Sequence, residues 1–331
     1  MISPFEPEAQ RRVRLVLTGT VQGIGLRPWL VRTSTTLGLG GSVENHGADV
    51  HLEWEGVPQS VETALETLRH HGPPGLRIAS WDPAECPPTG TTRFEVGESA
   101  AGTGGWSLPP DLGPCADCLR EMRDPSDRRF RYPFVSCTRC GPRWTVAHRT
   151  PWCRDNTTFA RFPLCAQCQS EFTDPNDRRF HAETTACPAC GPTLRWQSGA
   201  NSEPTTVGTP ALEAAATLLR DGGIVAVLGV GGFQLMVDAT SETAVARLRE
   251  RKHRPTKPLA VLFPDVETVN ECAQVSPREC QVLEDVSRPI VLLDAKMGGL
   301  LAPNVAAGLG TIGAMLPMSP LAADVAEVRP P

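Results

Sequence analysis

Apolar and polar positions alternate through residues 12–20 (RVRLVLTGT), placing Val13, Leu15 and Leu17 on one face, as in a half-buried strand. Two glycines punctuate the loop VQGIGLR, and Leu26, Leu30 and Leu37 then recur at helical spacing. Strands over 41–45 and 48–54 follow, then a helix carrying Val61, Leu65 and Leu68, then strands over 76–81 and 91–96. This β-α-β-β-α-β order predicts a ferredoxin-like unit. From about residue 207 the pattern becomes α/β. A helix over 210–221 precedes the apolar strand GIVAVLGV (223–230), a Gly-rich turn at 229–232 and the stretch FQLMVDAT. Ser241 is placed to cap a helix over 242–252, while PLAVLF (258–263) and PIVLLD (289–294) suit buried strands.

Cysteines organise the part between these patterns. Four Cys-x-x-Cys pairs, Cys115/Cys118, Cys137/Cys140, Cys165/Cys168 and Cys187/Cys190, are separated by gaps of 18, 24 and 18 residues. The segment CADCLREMRDPSDRRFRYPFVSCTRCGP (115–142) therefore lies over CAQCQSEFTDPNDRRFHAETTACPACGP (165–192) at an offset of 50. Two such turns aim four thiolates at one point, the geometry of a tetrahedral zinc cage with bonds of about 2.3 Å. The simplest assignment gives one zinc to Cys115, Cys118, Cys137 and Cys140 and a second to Cys165, Cys168, Cys187 and Cys190. Crossed pairing between the copies remains open. Disulfides compete with this reading, but no signal peptide precedes the domain, and a reducing cytoplasm favours metal. With all four positions filled by protein, both zincs are expected to be structural. His181 could replace a thiolate, but its counterpart in the first copy is Arg131, so symmetry favours cysteine. His148 reads as a surface or packing residue, and Cys86, Cys153, Cys272 and Cys280 read as ordinary thiols.

Composition adds bounds rather than a function. A chain of 331 residues holds two or three domains, and no apolar run approaches the ~20 residues of a membrane helix. Net charge is −5, and residues 109–195 hold thirteen Arg against ten acidic residues, too thin a margin for a DNA-binding finger. Gly and Pro cluster at 72–75, 83–90 and 102–114, where loops and a linker are expected.

The loop GTVQGIGLRP (19–28) is the first candidate site. Its small residues let the amides of Gln22, Gly23, Ile24, Gly25 and Leu26 converge on an oxyanion, and Arg27 adds a planar fork for phosphate. A plain strand–helix turn is the alternative reading. The whole string resembles the acylphosphatase signature, whose second element, Gly-x-Val-x-Asn, stands here as Gly41-Ser42-Val43-Glu44-Asn45. The resemblance implies that Arg27 and the loop bind phosphate and that Asn45 orients the attacking water. Ile24 and Leu26 stand where that family more often has Val and Phe.

A second candidate is LRERKHRPTKPLAV, where Lys252, Arg254 and Lys257 read either as a solvated helix end or as a polyphosphate or RNA clamp. IVAVLGVGGFQLMVDAT, RKHRPTKPLAV, SRPIVLL and IGAMLPMSPL, in that order, resemble a YrdC-type nucleotide-binding domain. The order acylphosphatase, duplicated zinc module, YrdC-like domain resembles the hydrogenase-maturation carbamoyltransferase family, HypF, and the phrase LPPDLGPCADC supports the match. The expected architecture is α+β and multidomain: an acylphosphatase-like domain (11–97), a linker (98–114), the zinc module (115–196) and an incomplete YrdC-like domain (207–331).

The resemblance implies hydrolysis of carbamoyl phosphate at the loop and internal passage of carbamate to an ATP-dependent carbamoyl-adenylate site. Transfer then follows to the terminal cysteine of a HypE-type partner. The chain stops at Pro331, so the transferase domain and a Ser/Thr-rich nucleotide-contacting stretch are expected to be missing. Gln234 and PLAAD also replace histidine-containing positions of the family. Weak nucleotide binding, without ATP–pyrophosphate exchange, is therefore expected of this chain alone. It could be a fragment, a truncated gene product or part of a split system. A free-standing acylphosphatase and a zinc-dependent RNA- or protein-binding module are the competing function classes.

Overall fold

The computed structural model describes residues 9–102, 105, 107–199, 203–296 and 298–327. Parts of the expected linker (103, 104 and 106) and of the expected YrdC-like domain (297 and 328–331) lie outside the described residues. The chain divides into two compact units, one of residues 1–110 with 136–185 and one of 111–135 with 186–331.

The first unit is built on a sheet whose alternation follows the sequence. Strand β1 (Arg11–Thr20) leads into helix α1 (Leu26–Leu37), strands β2 (Gly40–His46) and β3 (Asp49–Gly56), and helix α2 (Pro58–His71). Short strands β4 (Arg77–Ser80), β5 (Ala84–Cys86) and β6 (Phe94–Val96) complete it. The path is β4-β1-β3-β2-β6, with β2 and β6 parallel, and β5 pairs with β1. The expected loop at 83–90 therefore contains a strand, Cys86 lying opposite Arg12. Three residues followed by Pro87-Pro88 carry too little periodicity to announce it. Val13, Leu15 and Leu17 are fully buried against Leu30, Leu52, Trp54, Val61 and Leu68, so one face of the sheet packs on both helices. Trp54 Nε1 donates to the buried Ser34 Oγ at 2.7 Å, which satisfies both polar groups inside that core.

The duplication extends from the sequence to several hydrogen bonds. Helix α3 (Ala116–Arg123) in the second unit and helix α4 (Ala166–Thr173) in the first each begin one residue after a cysteine. Each is followed by an aspartate turn, Asp124 Oδ1 accepting from Ser126 N and Asp174 Oδ1 from Asn176 N, both at 2.9 Å. Arg131 and His181 share a left-handed backbone, with φ of 55° and 53°. In the second unit Arg129 Nε donates to Ala186 O (2.9 Å); in the first, Arg179 Nε donates to Ser136 O (3.1 Å). Both arginines are almost fully buried.

The rest of the second unit is α/β, as its pattern predicts. Strands β7 (Arg195–Trp196) and β8 (Thr206–Val207) pair ahead of helix α5 (Thr209–Arg220), and β9 (Val225–Gly229) forms a hairpin with β10 (Gly232–Met236). Helix α6 (Glu242–Arg251) starts at Ser241, whose Oγ accepts from Ala244 N at 3.3 Å. Strand β11 (Ala260–Leu262), helices α7 (Val266–Cys272) and α8 (Pro277–Leu283), strands β12 (Val291–Asp294) and β13 (Thr311–Met315), and helix α9 (Pro320–Ala326) follow. A three-stranded sheet, β11-β13-β12, buries Val261, Leu293, Ile312 and Ala314. The expectation of buried strands needs correction here. Ala260 in β11 is exposed and Leu292 in β12 is 69% exposed, because each strand buries only one of its faces. A short apolar run does not by itself separate one-sided from two-sided burial.

Candidate acyl-phosphate site and four-cysteine clusters

The loop between β1 and α1 lies inside the first unit. Gly23 and Gly25 have φ of 72° and 77°, a left-handed conformation that admits glycine without strain. Gly25 caps α1 in this conformation, and no acidic residue occupies the helix's first turn. Among the described residues, the N–H groups from Gln22 to Arg27 donate to no protein acceptor. A row of such donors beside a helix N-terminus, with an arginine, suits a phosphoryl group. The structure brings Gln22, Gly23, Gly25, Leu26, Arg27 and Asn45 around one cavity of about 20 Å³. The Ile24 side chain turns away into the core of the sheet.

Residues 150–185 of the same unit close over this loop. Arg27 Nη2 donates to Glu183 Oε1 (2.7 Å) and Trp152 O (3.1 Å), and Asn45 Nδ2 donates to the same carbonyl (2.9 Å). Gln22 Oε1 accepts from Trp152 N at 2.7 Å, while Gln22 Nε2 donates to the carbonyls of Gly47 and Asp49. Arg27, Asn45, Gln22, Trp152 and Glu183 are all buried. Burial pushes the Glu183 carboxyl pKa up, against the pull of the Arg27 charge. His181 lines the same cavity, and its pKa is lowered to about 4, by burial first and then by Arg27. The imidazole is therefore neutral at physiological pH and adds no cation to the site.

Arg143 joins the loop to the first cysteine repeat. Its Nε donates to Gly23 O, and its two Nη groups donate to the carbonyls of Cys137, Thr138, Cys140, Gly141 and Pro142 at 2.8–3.3 Å. The guanidinium also lies 5.6 Å over the Trp152 ring.

The eight expected cysteines form two clusters, Cys115, Cys118, Cys137, Cys140 and Cys165, Cys168, Cys187, Cys190, with the sulfurs of each within 4.8 Å of one another. Each repeat contributes its own four, so the uncrossed assignment describes this structure. Cys137 and Cys140 sulfurs are 3.7 Å apart, as are those of Cys187 and Cys190. A tetrahedron with bonds of about 2.3 Å has an edge of about 3.8 Å, so the spacing fits a four-thiolate cage. His181 belongs to neither cluster and packs instead against Phe172 and Phe180.

Two features here escape sequence reasoning. Trp152 and Glu183 act 125 and 156 residues from Arg27, and no local periodicity reports such a contact. The usable signal is the break in the repeat, where Arg131-Tyr132-Pro133-Phe134-Val135 becomes His181-Ala182-Glu183-Thr184-Thr185. A third group, Glu44, His46 and His51, gathers within 4.8 Å on the outer face of β2 and β3, partly exposed.

The basic segment is less concentrated than its sequence suggests. Lys252 and Lys257 are exposed, and Arg254 donates to the carbonyls of Pro258 (2.7 Å) and Lys257 (3.3 Å). The buried Arg249 binds five carbonyls, those of Arg254, Pro255, Lys257, Asn304 and Val305, and so shapes the segment. None of Lys252, Arg254 or Lys257 lines a cavity of the second unit formed by residues that include Gly229, Gln234, Met315 and Ser319.

A glycine loop with Arg27 and Asn45 on a ferredoxin-like sheet defines an acylphosphatase module, and the acylphosphatase family model matches residues 13–96. The HypF finger matches 115–147 and 164–197, and the Sua5/YciO/YrdC model, described as telomere recombination, matches 217–329. The chain belongs to the HypF carbamoyltransferase family. It is 43% identical to carbamoyltransferase HypF2 of Cupriavidus necator over 97% of this chain and 40% of that protein. The HypF of Synechocystis sp. is 44% identical over 94% of this chain and 40% of its own length. The structure of full-length HypF in its phosphate- and nucleotide-bound form superposes with a TM-score of 0.89 at 36% identity, covering 98% of this chain and 42% of that one. T. kodakarensis HypF gives 0.86 at 41% identity, covering 97% and 41%. The chain thus spans about two-fifths of the length of these relatives.

Proposed function

We propose that this chain is the carbamoyl-phosphate-handling part of a hydrogenase-maturation carbamoyltransferase. The observation that carries the reading is that Arg27, Asn45 and the loop residues Gln22, Gly23, Gly25 and Leu26 line one cavity. Arg27 and the amides hold the phosphoryl oxygens, and Asn45 directs a water onto phosphorus. The P–O bond to the acyl group breaks, carbamate leaves with the electron pair, and the water's oxygen ends in phosphate. Acyl phosphates have good leaving groups, so positioning and charge stabilisation suffice without a histidine or a metal. A closed site also shields carbamate, which decomposes when free. Zinc on the eight thiolates would cross-link the segments that carry Arg143, Trp152 and Glu183. ATP-dependent adenylation near Gly229 and Gln234, with Lys252, Arg254 and Lys257 as candidate phosphate contacts, and transfer to a HypE-type cysteine are the later steps of the complete protein. Likeness along nearly all of this chain favours this reading over a lone acylphosphatase or an RNA- or protein-binding module.

Phosphate release from carbamoyl phosphate, measured with and without ATP, tests the reading. The chain is expected to release phosphate without ATP and to show no ATP–pyrophosphate exchange by itself. Asn45→Ala is expected to lower the turnover number roughly 10²–10³-fold, the usual loss for one positioned polar group, with KM little changed. Release no faster than spontaneous decomposition would overturn the assignment.

A further inference from the structure

The acceptors that close the site are chemically one-sided. Trp152 offers a carbonyl and Glu183 a carboxyl group, and both are met by donors from Arg27, with Asn45 adding a second donor to the carbonyl. Neither is a passing contact. Glu183 Oε2 accepts from Arg154 N at 2.9 Å, and Arg154 Nη1 donates to Glu183 O (2.7 Å) and Thr185 O (2.9 Å), which fixes the segment. Glu183 is 4% exposed and Trp152 5%, so an acceptor that loses its donor has little water to turn to.

The cavity, about 20 Å³, holds roughly one water, and Arg27 and Asn45 each commit a donor to these acceptors, so an acyl phosphate that recruits those donors takes them from Trp152 and Glu183. A phosphoryl group brings no donors of its own when it takes over Arg27. An acyl group that carries N–H donors makes up the loss, whereas one without them leaves Glu183 Oε1 and Trp152 O short of a donor. Carbamoyl carries an NH₂ group where acetyl carries a methyl of nearly the same size. Shape therefore discriminates little between them, and hydrogen bonding discriminates strongly.

We infer that Glu183, with the Trp152 carbonyl, is the specificity element for the acyl group, selecting acyl phosphates that bear an amino group on the acyl carbon. This deepens the carbamoyl-phosphate reading and rests on it. Arg27 serves as the stand-in donor that keeps both acceptors paired between turnovers, and the substrate's N–H groups take its place. Glu183 thus lies on the acyl side of the scissile bond, with the loop amides on the phosphoryl side.

The test is kcat/KM for carbamoyl phosphate and for acetyl phosphate, on the zinc-loaded 331-residue chain and its Glu183→Ala and Glu183→Gln variants. The unaltered chain is expected to prefer carbamoyl phosphate by on the order of 10²-fold. Glu183→Ala is expected to cut that ratio at least tenfold, the loss falling mainly on carbamoyl phosphate. Glu183→Gln keeps the size and one acceptor oxygen, so it is expected to give an intermediate ratio, and it carries the test if the alanine variant loses its zinc. A ratio unchanged in the variants, with both acyl phosphates still hydrolysed, overturns the specificity assignment and leaves the hydrolase reading standing. Hydrolysis of neither acyl phosphate by the unaltered chain overturns both.

Discussion

Arg27→Ala is expected to lower carbamoyl phosphate hydrolysis more than 10³-fold, because one substitution removes both the phosphate fork and the charge facing the transition state. The same change also leaves Glu183 buried beside an absent cation. Breaking a buried pair by removing one partner costs about 3–5 kcal/mol, so a lower melting temperature is expected too. The two effects separate in Arg27→Ala/Glu183→Gln, which neutralises the stranded carboxylate. That double variant is expected to recover most of the thermal stability and none of the activity. Arg27→Ala with undiminished turnover would place the site elsewhere.

Removing metal is expected to have the broadest consequence. Two zinc ions per chain are expected by elemental analysis of reduced protein, and a strong chelator is expected to unfold residues 110–192. The apparent binding energy of such sites, about 10–16 kcal/mol in finger peptides, is folding energy. Hydrolysis should fall with the metal, since Arg143 ties the Gly23 carbonyl to the Cys137–Pro142 turn, and Trp152 and Glu183 lie on the same module. Cys115→Ser should release about one equivalent. Cys153→Ser should release none, its half-buried thiol lying outside both clusters with a pKa raised by burial. One metal or none in fresh protein would refute the two-site assignment.

Much of this was legible in the chain because the signals were local. Alternation in β1, the glycines of the loop and Asn45 on β2 each report within a few turns of backbone, and the cysteines report through a repeat that can be read by eye at an offset of fifty. The closure of the site was not legible. Glu183 and Trp152 reach Arg27 through the tertiary fold, and the only trace was the departure of HAETT from RYPFV. The apolar letters of β10 and β12 misled in another way. Phe233 is 73% exposed and Leu292 69%, since neither belongs to a face that the described core covers. The basic segment, too, owes its shape to Arg249, whose buried fan of carbonyl contacts looks in sequence like one more surface charge.

The reciprocal bonds of Arg129 to Ala186 and of Arg179 to Ser136 have the logic of an isologous contact, in which residue i meets j and j meets i. Here that logic is written within one polypeptide, as when a gene encoding a self-pairing module doubles and its two products fuse. Each repeat supplies an acceptor that the other's arginine uses, so a boundary drawn near residue 150 would cut through a shared interior. Dissection into fragments therefore has to take both repeats or neither.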